Sequence, residues 1–215
     1  MIDVSTQINA VSRQVGRRAL EAGEARTVIV QQTFDSTIED VWDAVTNIER
    51  IPRWLMPITG DLRLGGHYQL EGNAGGTIET CDPPKGFTAT WEFDGGMSWI
   101  EVALMPAEGG TQVRVEHIAE VDDATWDQFG PGAVGIGWDL MFMGLALHLS
   151  TGAANDPEGS MAWQTSAEGL EFMNRGNEAW CEANIAAGTP EAVARASAER
   201  TFAAYSGAPE EPPAE

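Results

Sequence analysis

Two titratable side chains stand where they could move a proton. Glu79 lies in a short strand-like segment, residues 77–81, and alternates there with Thr77 and Cys81 on one face. His117 closes the segment 111–118 on the same side as Val113 and Val115. A carboxylate buried in an apolar interior has a raised pKa and can act as acid or base, and an imidazole is its natural partner. Each residue also has a plain alternative. A one-residue slip of register turns Glu79 to water, and His117 reads equally as a hydrogen-bonded core histidine beneath a long helix. Other chemistry finds no support. There is no nucleophile elbow, and the glycine-rich stretches 72–76 and 132–137 lack the strand-then-helix grammar and lysine of a phosphate loop. The three histidines form no ligand-spaced pair, and Cys81 and Cys181 sit in no CxxC pattern. No metal and no cofactor are therefore expected, and the two thiols are expected to be reduced and buried or inert.

The elements that must position these residues follow from hydrophobic period and turn chemistry. Residues 27–34 read as a first strand. Ser36-Thr37-Ile38-Glu39 has the form of a capping box, and Ile38, Val41, Trp42, Val45 and Ile48 follow at helical spacing. Pro52 and Pro57 bound a short aromatic loop that holds Trp54. Segments 67–71, 77–81, 87–93, 98–105 and 111–118 then alternate apolar and polar residues, separated by glycine-rich turns such as Asp94-Gly95-Gly96. This is the pattern of an antiparallel meander. Its inward set includes Tyr68, Leu70, Ala89, Trp91, Val102 and Val115. Residues 131–150 read as a long helix with Trp138, Phe142, Leu145 and Leu149 toward the sheet. Interior glycines there point to close packing or a kink.

Outside this unit, residues 1–25 read as an N-terminal helical arm with Val4, Ile8, Val11, Val15 and Leu20 inward and Arg13, Arg17 and Arg18 outward. Residues 151–207 read as a helical extension packed on the core or on a partner subunit, and 208–215 as a disordered Pro/Glu-rich tail. Trp99 and Glu101 fall on the outer face of their strand. They are expected to meet the arm, the tail or a second subunit, so a homodimer is among the expected assemblies.

Bulk properties narrow the partners. With 33 acidic against 12 basic residues the net charge is −21, which argues against nucleic-acid binding and against anionic membranes. No uninterrupted apolar run suits a membrane span, because Asp139 and His148 break the best stretch. The first residues lack the apolar core of a secretory signal, so a cytoplasmic location is the expectation.

Several strings in this order resemble the SRPBCC (START-like) superfamily. Val41-Trp42-Asp43-Ala44-Val45-Thr46 with Ile51-Pro52-Arg53-Trp54 is similar to its "VWxALT…xRW" opening, and Leu64-Gly65-Gly66-His67-Tyr68-Gln69-Leu70 to its "GGxF" strand. Gly76-Thr77-Ile78-Glu79-Thr80-Cys81-Asp82-Pro83-Pro84 with Thr90-Trp91 resembles "GxVxEVDPPxxLxxTW", and Gly109-Gly110-Thr111 with Glu116-His117 resembles "GGTxxxxxH". The set covers roughly residues 26–149 and resembles the branch related to the C-terminal domain of the heat-shock-90 ATPase activator. The resemblance implies an α+β helix-grip fold: a curved antiparallel sheet, of seven strands or so, wrapped around a long C-terminal helix over a cavity. Relatives bind lipids, hormones or polyketides, some catalyse cyclisation or hydrolysis, and others act as co-chaperones. Glu79 stands where the family's residue is usually apolar, which would turn it into the cavity.

Three functions follow as expectations. The first is binding of a small hydrophobic molecule, with Trp54, Tyr68, Leu70, Ala89, Trp91, Val102, Val115, His117, Trp138 and Phe142 lining its site. The small residues Ala89, Gly72 and Gly135 would leave room for it. The second is a cyclase- or hydrolase-like reaction using Glu79 and His117. The third is a co-chaperone-like interaction module.

Overall fold

The computed structural model describes residues 3–21 and 23–207. The C-terminal stretch 208–215, expected to be disordered, lies outside the described residues. The element order is α1 (Val4–Ala10), β1 (Ser12–Leu20), β2 (Gly23–Phe34), α2 (Ile38–Thr46), a 3-10 turn (Ile51–Arg53), β3 (Ile58–Gly60), β4 (His67–Leu70), β5 (Gly75–Asp82), β6 (Gly86–Phe93), β7 (Gly96–Ala107) and β8 (Gly110–Ala119). Five helices follow: α3 (Asp123–Phe129), α4 (Gly132–Thr151), α5 (Pro157–Gln164), α6 (Ala167–Ala186) and α7 (Glu191–Ser206). All strands join one antiparallel sheet in the order β1-β2-β8-β7-β6-β5-β4-β3. Its inner face packs on α4, the helix it grips.

Short local signals start and stop the elements that matter here. The cap of α2 is Thr37, whose Oγ1 accepts from the Asp40 amide at 3.3 Å, one residue later than the capping box suggested. The grip helix ends at Gly152, which takes the left-handed conformation at φ 68°. By length and composition α4 is apolar enough to cross a membrane. Its apolarity has a different cause here, because two of its sides are buried. Trp138, Phe142 and Leu145 pack with the sheet, while Ile136 joins Val4, Ile8, Phe172 and Met173 in a second cluster. A helix buried on both sides shows no single apolar stripe.

The glycines of α4 permit close approach on each side. A Cβ on Gly135 would overlap the indole of Trp180, and one on Gly144 would lie 2.5 Å from the Trp54 carbonyl oxygen. Trp180 itself is fully buried.

The N-terminal arm departs from expectation. Only residues 4–10 are helical, and residues 12–20 form the edge strand β1, hydrogen-bonded to β2. A boundary at residue 25 or 26 therefore cuts through a hairpin. Local spacing suggested helix because Val4, Ile8, Val11 and Val15 also fit one helical face. Pairing with β2 overrides that preference and turns Arg13, Val15 and Arg17 to the inner side. Arg13 is thus not an outer residue. Its guanidinium meets Asp139 of α4, with side-chain exposures of 5% and 0%. Arg18 does face outward and reaches Glu101 at 2.7 Å, so the outer sheet face is tied to the N-terminal strand of the same chain.

The C-terminal helices cover this side of the molecule. Phe172, Met173 and Trp180 of α6 are buried against α4 and the N-terminal segment. We expect a chain ending at Ser150 to lose monodispersity and to melt at lower temperature, because it would expose the second face of α4 to water. Size-exclusion chromatography and thermal denaturation check this. An equally heat-stable, monodisperse truncated chain would contradict it.

Candidate functional site: a cavity beneath the grip helix

Between the inner sheet face, α2, the Trp54 loop and α4 lies a cavity of about 490 Å³, within the range of small-molecule sites. The sheet contributes Leu70, Ile78, Phe87, Trp91, Val102 and Val115, and α4 contributes Trp138, Met141, Phe142 and Leu145. Trp42 and Val45 of α2, then Trp54 and Leu55, close the remaining side. Its polar lining is sparse: Thr46, Arg63, Tyr68 and Cys81. Arg63 is the single charged lining residue among those described, and it sits beside Asp61 in an exposed pair.

The aromatic walls are anchored by hydrogen bonds that point away from the space. Trp54 Nε1 donates to the Ala44 carbonyl at 2.8 Å. Tyr68 Oη donates to the Thr90 carbonyl at 2.7 Å, and burial pushes its phenol pKa up, so the tyrosine stays neutral. Edge-to-face contact sets Trp42 on Phe87, with ring centres 6.3 Å apart. Trp91 and Trp138 lie 5.3 Å apart at 45°.

His117 does not line the cavity. It lies behind Trp138, whose Nε1 donates to His117 Nδ1 at 3.1 Å. Since an indole can only donate, Nδ1 must be the unprotonated nitrogen. The proton then sits on Nε2, 2.8 Å from Ser98 Oγ, and that hydroxyl donates to the Trp91 carbonyl at 3.0 Å. The tautomer is assigned from this network. Burial holds the imidazole pKa down at about 4, so it is neutral at neutral pH. The Ser98–His117 contact superficially matches an activated nucleophile. The bond runs the wrong way for that role, because Nε2 carries a proton and has no lone pair to take one from the serine.

Glu79 is exposed and does not face the interior. The register explains the departure. Ile78 pairs with Ala89 and Thr80 with Thr88, so Glu79 is the extra residue of a β-bulge. Ile78 lines the cavity before the bulge and Cys81 after it, three positions on. The carboxylate thus stays in solvent, and the Glu79–His117 pair does not form. Cys81 is also exposed at this rim, contrary to a buried thiol, while Cys181 is buried, and both are free.

Three other residues are placed differently from expectation. Ala89 is fully buried but does not reach the space, because its cross-strand neighbours Ile78 and Ile100 both extend past its methyl group. Gly72 sits in the exposed β4–β5 turn with φ 67°. Gly135 faces Trp180 on the opposite side of α4. None of these three small residues lines the cavity. Trp42 and Ser98 were the informative omissions. The period of two already placed Ser98 on the inner face with Ile100 and Val102, where a hydroxyl requires a partner.

A curved antiparallel sheet gripping one long helix, with an apolar cavity between them, defines the helix-grip class. A family model described as Activator of Hsp90 ATPase homolog 1-like protein matches residues 35–150. The chain belongs to that family. The crystal structure of CalU16 from Micromonospora echinospora is similar at 33% identity, over 81% of this chain and 98% of that one, with a TM-score of 0.65. The solution structure of the same protein gives a TM-score of 0.69 at 33% identity, over 83% and 97% of the two chains. Protein MLL2253 from Mesorhizobium loti shares the fold at 23% identity, over 58% of this chain and 97% of that one, with a TM-score of 0.53. A comparison with curated protein sequences finds no match.

Proposed function

We propose that this protein binds a small, largely apolar molecule in the cavity between sheet and grip helix. The observation that carries this reading is an apolar space of about 490 Å³ with one charged residue in its lining. A ligand that buries about 200 Å² of apolar surface there gains roughly 5 kcal/mol before the costs of association are subtracted. The family supports a ligand-binding or cyclase-like role in general terms. Within that range the Glu79–His117 acid/base version loses its basis, since one member is in solvent and the other is locked behind Trp138.

Nile red, an apolar dye that fluoresces on leaving water, should bind the native protein. Val102→Phe adds a ring to the lining and should weaken that binding about ten-fold, equivalent to about 1.4 kcal/mol, while the protein stays folded. Native protein that leaves the dye dark would refute the reading. So would a Val102→Phe variant that binds as wild type does.

A further inference from the structure

One wall of the cavity hangs on a chain of hydrogen bonds that a ligand would not touch. Trp138 Nε1 donates to His117 Nδ1, His117 Nε2 donates to Ser98 Oγ, and Ser98 Oγ donates to the carbonyl of Trp91. The chain runs in one direction only. It begins at a group that can only donate and ends at one that can only accept, so no member can reverse without leaving a polar atom unpaired. His117 and Ser98 are both buried. The imidazole stands nearly perpendicular to the Trp138 ring, at 88° with centres 5.8 Å apart, and 6.1 Å from Trp91. Both indoles line the cavity, whereas His117 and Ser98 do not.

We propose that His117 is a positioning residue for the ligand cavity: as the neutral Nε2–H tautomer it fixes the indole of Trp138, and through Ser98 the strand segment bearing Trp91, so that the two rings hold the wall in its open shape. This rests on the ligand-binding reading above. Trp138 belongs to α4 and Trp91 to β6, so the chain sets the spacing of helix and sheet at this wall. Without an acceptor at His117, the Trp138 N–H would be buried and unpaired. The indole would then turn toward another acceptor or toward water, into the space it now borders.

Glutamine can reproduce the chain, since its Oε1 accepts and its Nε2 donates; leucine can do neither. We expect His117→Leu to weaken Nile red binding about ten-fold and His117→Gln to stay within about three-fold of wild type. The Trp91–Trp138 pair is close enough for exciton coupling in circular dichroism. That signal should survive in the Gln variant and fade in the Leu variant. Nitrogen-15 NMR of the wild-type protein should show the His117 ring protonated at Nε2, a measurement that needs no variant to fold. His148 provides the contrast: it is also buried, but it accepts from Arg50 Nε at its own Nε2 and faces the Ala153 carbonyl with Nδ1. A His117 ring protonated at Nδ1 would overturn the proposal, as would a folded His117→Leu variant with wild-type dye affinity and coupling. If wild-type protein binds no dye, the ligand reading fails by itself; the positioning claim is then decided by the tautomer and the coupling signal.

Discussion

Asp139→Ala should destabilise this protein by about 3–5 kcal/mol, the scale for removing one partner of a buried ion pair. Asp139 has no exposed side-chain surface, and Arg13 has 5%. Arg13 Nε reaches the two carboxylate oxygens at 3.0 and 3.2 Å, and Nη1 donates to the Ile8 and Val11 carbonyls. Trp180 Nε1 donates to Asp139 Oδ2 at 3.0 Å. Edge strand, grip helix and C-terminal layer therefore meet at one carboxylate. Removing it strands a guanidinium in the interior. Replacing both partners with apolar residues of similar size, as in Arg13→Met with Asp139→Leu, should recover most of the loss, because the desolvation of both charges disappears with them. Urea denaturation of the two variants checks this. A loss under about 1 kcal/mol for Asp139→Ala would show that water or another group reaches Arg13.

Acidification from pH 6.5 to pH 4 should remove about 3 kcal/mol of stability through His117 alone. The imidazole titrates at about 4 in the folded protein, against an ordinary 6.5, because burial disfavours the cation. As pH falls through this window the unfolded chain takes up the proton first. The contribution is thus complete above pH 6.5 and is lost progressively toward pH 4. Two effects work in the opposite direction. Burial raises the Asp139 carboxyl pKa despite Arg13 and the Trp180 N–H, so its protonation favours the folded state. Protonating part of a chain with 33 acidic residues also relieves repulsion. Wild-type stability by itself would blur these terms. The informative quantity is the difference between wild type and His117→Gln, measured by urea denaturation at pH 7 and at pH 4. It should move by about 3 kcal/mol against the wild type. A difference independent of pH would mean that His117 titrates alike folded and unfolded.

Both effects belong to groups behind the cavity wall. The lining has almost no polarity of its own, while a neutral histidine supports one side of α4 and a buried ion pair the other. Such an arrangement orders apolar rings without placing charge or an unpaired donor in the ligand's space.

The amino-acid order alone determined the strands of the meander, the capped helix, the grip helix and most of the inner face. Trp54, Tyr68, Leu70, Trp91, Val102, Val115, Trp138 and Phe142 all border the cavity, and each lies where local period or a proline-bounded loop put it. These are properties of one segment at a time, since a strand alternates and a helix repeats whatever lies beside it. Tertiary structure decided what depends on two segments at once. The bulge that leaves Glu79 in water exists only in the pairing of β5 with β6. The strand at 12–20 exists because β2 offers an edge to a segment that begins where Val11 and Val15 still continue the helical face of Val4 and Ile8. His117 was correctly turned inward by its period, but its distance from the ligand space depends on Trp138, 21 residues away, lying across it. Direction is local, whereas depth and partnership are set by what packs on top.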